Sequence, residues 1–118
     1  MEPAGDQAPS PNLAAALERL WTRFLPELRE RVAALESAAQ SLSVHALTAE
    51  DREAAHAAAH KLAGVLGTFS LERGTELARE LELLYQTAPD PASAPRLAER
   101  TAELRALIES RADSALSS

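Results

Sequence analysis

The chain has 118 residues, enough for one domain with a single core. Its formal net charge of -6 opposes binding to nucleic acids or anionic membranes, which need a basic surface. Cysteine is absent, which excludes disulfides, thiolate metal sites and cysteine nucleophiles.

Hydrophobic residues make up 46% and aromatic residues only 3%, so the core must be aliphatic. Ala, Leu, Glu and Arg dominate and favour helix, and few β-branched residues are available for strands. No apolar run approaches the roughly 18 residues of a membrane span. The start of the chain lacks a basic-then-apolar signal pattern, and a cytoplasmic protein is expected.

Residues 1–10, rich in Pro, Gly and Ala, predict a disordered tail. Ser10 before Pro11 predicts an N-cap with proline at the first helical position. From Leu13, apolar residues recur every three or four positions through Trp21, Phe24, Leu28, Val32, Leu35 and Leu42. This predicts a long first helix, kinked or split at Pro26, with Trp21 and Phe24 as core anchors. Residues 41–47 form a short connection.

Thr48, with Asp51 three residues on, resembles a capping box and opens a second helix. Gly67 to Ser70 should end that helix, with Ser70 capping a third that carries Leu77, Leu81 and Tyr85 on one side. Residues 87–95 hold three prolines and predict a loop. A last helix starts at Asp90-Pro91 or Ser93 and turns Leu97, Thr101, Leu104, Leu107 and Ile108 inward. The expected fold is all-α, an antiparallel up-down-up-down four-helix bundle over residues 11–116. All its apolar stripes can be satisfied internally, so a monomer is expected.

The second helix carries the chemistry. At about 100° per residue, Ala55, Ala58, Val65, Leu66 and Phe69 fall within roughly 60° of Leu62. His60 lies about 160° from Leu62, facing water among Glu53, His56, Ala57, Gly64 and Gly67. Gly64, one turn after His60, costs a helix about 1 kcal/mol relative to alanine. A bare backbone beside an exposed imidazole lets another protein come close. Gly67 has the simpler reading of a helix end. An imidazole in water has a pKa of about 6.5 and is largely neutral and nucleophilic at neutral pH. Phosphoryl transfer needs positioning and charge neutralisation, so the acidic pocket and Mg²⁺ must come from a partner.

The stretch Ala59-His60-Lys61-Leu62-Ala63-Gly64-Val65-Leu66-Gly67-Thr68-Phe69, followed by a Leu-rich third helix, resembles histidine-containing phosphotransfer (HPt) domains of bacterial phosphorelays. His60, Leu62 and Gly64 match the family pattern in register. The resemblance implies that His60 accepts a phosphoryl group from a receiver-domain aspartate and passes it to another receiver. It implies no autonomous kinase activity and no cofactor on this chain. Gly64 would make room for the docked receiver. Lys61, Ala63, His56 and Gly67 would form the surroundings of the phosphoryl group. The family's usual lysine three residues after the histidine is Ala63 here, and Lys61 points about 100° away around the helix. The partners implied are receiver domains of response regulators or hybrid kinases.

Other readings compete. His56 and His60, one turn apart, could chelate a metal, but two ligands are too few and no metal is expected. A kinase dimerisation domain favours an acidic residue after the histidine and a proline further on, where Lys61 and Val65 stand. Glu76, Arg79 and Glu82 read as a solvated face with helix-spaced ion pairs. A degenerate HPt adaptor that binds receivers without relaying phosphate is the alternative function.

Overall fold

The computed structural model describes residues 11–117. The expected tail at 1–10 and the Ser10 cap lie outside them. Four helices follow in order: α1 (Pro11–Leu42), α2 (Ala49–Thr68), α3 (Glu72–Gln86) and α4 (Ala94–Ser117). A 3-10 turn, Pro91–Ser93, leads into α4. Each helix packs on its neighbours in sequence, and α4 closes the ring on α1. The bundle is antiparallel throughout: Glu36 meets Arg105 and Glu18 meets Arg111 across α1 and α4, and His60 meets Glu82 across α2 and α3.

The core is aliphatic, as the composition dictates. Leu28, Leu35, Leu42, Leu62, Leu66, Leu77, Leu81, Leu97 and Leu104 are wholly buried. Thr101 is buried too, and its hydroxyl donates to the Leu97 carbonyl at 2.7 Å. Trp21 closes one end, packing edge-on to Phe69 at 5.2 Å with the Arg111 guanidinium 4.9 Å from its ring centre. Leu13 and Leu20, at the start of the same stripe, are exposed.

Pro26 does not split α1, which runs through it unbroken. Pro26 and Thr22 are both exposed, so the Thr22 carbonyl that loses its backbone donor faces water. Thr48 caps α2 as expected, its hydroxyl accepting from the Asp51 backbone N–H at 3.0 Å.

Helix α2 ends within the expected 67–70 stretch, but Ser70 does not cap α3. Gly67 stays helical, and Ser70 takes the left-handed conformation, with φ 58°. Its N–H donates to the Gly67 carbonyl, and the Leu71 N–H to the Leu66 carbonyl. This is a Schellman turn with serine in the position glycine usually fills. Ser70 therefore closes α2. Leu71 occupies the N-cap of α3, with no side-chain cap bond. Gly74 is buried in the seam, where a Cβ would meet Leu66 Cδ1 at 3.3 Å.

Ion pairs tie α4 to both neighbours. Arg29 meets Glu109 at 2.6 Å, Arg73 meets Glu103 at 2.8 Å, and Arg96 and Arg100 both reach Glu80 at 3.0 Å. Hydrogen bonding from Arg100, and then from Arg96, holds the Glu80 carboxyl below its ordinary 4.5. Arg73 does the same for Glu103, and Arg29 for Glu109.

Three predictions follow from the turn and the pairs. Ser70→Gly should raise the unfolding free energy by about 1 kcal/mol in urea titrations, because glycine relieves the left-handed strain. A lowered carboxylate pKa adds stability above the unfolded value that is lost as pH falls through the folded one. The melting temperature should therefore hold from pH 7 to about 5 and fall below about 4. Glu80→Gln should cost about 1 kcal/mol at pH 7 and flatten the acid limb.

Candidate functional site

The site stands on the outer face of α2, where α3 runs beside it. His60 points to water, its side chain 70% exposed. Its Nδ1 lies 2.8 Å from Glu82 Oε2, on α3. Glu82 is only 22% exposed, and the same oxygen is 3.8 Å from His56 Nε2. A carboxylate oxygen accepts hydrogen bonds, so the contact favours the tautomer of a neutral ring that carries its proton on Nδ1 and keeps the Nε2 lone pair free.

The local sequence explains this placement. His56, His60 and Ala63 lie about 120°, 160° and 100° round α2 from Leu62, all to the same side. His56 and His60 reach Glu82, so that side faces α3. Lys61 lies about 100° the other way. It lines an open groove with Phe24, Glu27 and Arg31 of α1 and with Gly64, Val65 and Thr68.

The residues singled out in the sequence therefore divide. His60, Lys61, Gly64 and Gly67 are exposed, and His56 is half-buried. Ala63 is not on the open face. It is buried at 4% and belongs to the core cluster. The buried arc extends from Leu62 towards α3 through Ala59 and Ala63, because α3 packs closely there. Gly67 borders the seam, where a Cβ would sit 4.0 Å from Thr75 Oγ1. A Cβ on Gly64 would meet nothing within 4 Å. Packing inside the fold thus gives no reason for Gly64. His45 lies in the α1–α2 connection, its Nδ1 3.0 Å from the Ala46 carbonyl. Among the described residues, no group of three or more His, Cys, Asp or Glu side chains is arranged to hold a metal ion.

Reading the sequence missed Glu82, which looked like part of a solvated charged face. The signal was its register. In an antiparallel pair, residues equidistant from the turn lie level, and 60 and 82 are each 11 positions from Leu71. Gly67 and Thr75 obey the same count, each four positions from Leu71.

The chain matches the family model described as Hpt domain over residues 19–113. It belongs to the Hpt domain family. Hpt domains are phosphocarriers rather than enzymes, and membership gives the chain a phosphotransfer-type role in two-component signalling. The chain is also similar to Protein RcaC of Microchaete diplosiphon, with 37% identity over 68 residues. That match covers 58% of this chain and 10% of RcaC, so the chain matches only a small part of that curated relative. No solved structure gives a significant match. No helix among the described residues is long and apolar enough to cross a membrane.

The empty space over Gly64 yields a direct test of this Hpt domain. Gly64→Ala should raise the unfolding free energy by about 1 kcal/mol, the difference in helix propensity, without changing the circular dichroism. A loss of stability would mean that the fold itself requires glycine there.

Proposed function

We propose that His60 is the phosphoryl carrier of this Hpt domain, accepting from the aspartyl phosphate of one receiver domain and donating to another. The observation that carries this reading is an exposed imidazole whose Nδ1 is held by a half-buried carboxylate. With Nδ1–H donated to Glu82, the Nε2 lone pair faces water and attacks phosphorus in line. The Nε2–P bond forms as the P–O bond to the receiver aspartate breaks, and that aspartate leaves as carboxylate. The proton stays on Nδ1, where Glu82 stabilises the positive charge that grows on the ring. The receiver supplies Mg²⁺ and the acidic pocket, since phosphoryl transfer depends on positioning and charge neutralisation.

Gly64 gives the receiver a bare surface one turn from the ring. The adjoining groove, with Phe24 and Val65 half-buried beside Lys61, offers apolar and charged contacts on the α1 side. Localisation in the cytoplasm, with the receivers, fits this reading.

Incubation with a phosphorylated receiver tests it. Acid-labile, base-stable label should appear on the wild type and vanish in His60→Gln. Glu82→Gln should slow uptake by about tenfold or more, through loss of the fixed Nδ1–H tautomer. Gly64→Arg should block uptake while leaving the fold intact. Receiver binding by the wild type without any label would instead establish the adaptor reading.

A further inference from the structure

We propose that Arg79 of α3 screens the phosphoryl group on His60. The inference rests on His60 being the carrier and adds the residue that neutralises its cargo.

The charges around the ring pose the problem. A phosphoryl group on Nε2 brings about two negative charges to a site whose fixed neighbour, Glu82, is already a carboxylate. Like charges this close oppose the phosphorylated state. A cation within reach has to offset them.

The candidates are few. Lys61 leans to the α1 side, in the groove with Glu27 and Arg31. Arg31 itself is bonded to Glu27 at 3.3 Å. Arg52 is committed to the Tyr85 carbonyl at 3.1 Å, and Arg73 to Glu103 and Glu76. Arg79 is exposed and has no hydrogen-bond or ion-pair partner among the described residues.

Register places Arg79 beside the ring. The His60–Glu82 and Gly67–Thr75 contacts share one count about Leu71 and bracket the level where 63 and 79 lie opposite. Arg79 is therefore three residues from the level of His60, about 4.5 Å along the axis. Around α3, Glu82 lies about 100° from the buried Leu81 and Arg79 about 160°, on the same side. Glu82 meets Nδ1 of the ring, and Arg79 stands further round α3 on its exposed face. Ala63, directly opposite Arg79, is buried and uncharged. The guanidinium thus comes from the neighbouring helix.

The test loads the protein with phosphoramidate, which phosphorylates histidine without a receiver, and follows the phosphohistidine signal by ³¹P NMR against pH. His60→Gln identifies the His60 resonance. In Arg79→Gln the titration midpoint of that phosphoryl group should rise by about half a pH unit, because an exposed cation that favours the dianion is gone. Arg79→Lys should restore most of the shift, and the thermal melts of all three proteins should coincide. Equal midpoints in wild type and Arg79→Gln would overturn the proposal and leave the carrier role of His60 standing. A shifted midpoint in a protein that no phosphorylated receiver labels would keep Arg79 and sink the relay. Failure of phosphoramidate to load His60 would overturn both.

Discussion

Small residues let α2 and α3 lie close together. Ala55, Ala59 and Ala63 on one helix, and Gly74 and Ala78 on the other, are all buried. The Schellman turn at Ser70 sets the register, and Leu66, packed against Gly74, leaves little freedom to slide. From that register follows the pairing of His60 with Glu82. A slip of one residue along either helix would turn one of them by about 100° and break the contact. The site is thus a consequence of packing that involves neither of its two polar residues.

The charges are distributed unevenly over the bundle. All four arginines in the body of α4, Arg96, Arg100, Arg105 and Arg111, bond to carboxylates on α3, α1 or α4 itself. The outer face of α2 around His60 carries Ala57, Gly64 and Gly67, with Glu53 and Lys61 at its margins and neither in an ion pair across the bundle among the described residues. A helix anchored by long, paired side chains would present a cluttered, hydrated surface to a partner. A helix anchored by its buried alanines and leucines can leave its outer face nearly bare. This division suits a carrier that must be approached on one side and hold its shape on the others.

Much of this was legible in the residues alone. The three-four spacing of apolar positions fixed the helices, and the phase about Leu62 put His60 and Gly64 outside. Two kinds of information were not local. The true centre of the buried arc on α2 depends on how near α3 comes, which is why Ala63 looked like a site residue and proved to be core. The role of Glu82 depends on inter-helix register, which hydrophobic periodicity along one helix does not encode. Ser70 reads in sequence as an N-cap for α3, but its backbone is left-handed and closes α2, a place glycine usually fills. Pro26 carries a strong helix-breaking prior, yet an exposed proline in a long helix needs only water for the orphaned carbonyl.

The proposed transfer depends on which ring nitrogen of His60 holds the proton. Long-range ¹H–¹⁵N correlation spectra of the unphosphorylated protein read this directly from the imidazole nitrogen shifts. They should show His60 as the Nδ1–H tautomer at pH 8, with Nε2 unprotonated. A dominant Nε2–H tautomer would mean that Glu82 does not hold the ring, and the proposed route of attack would fail with it.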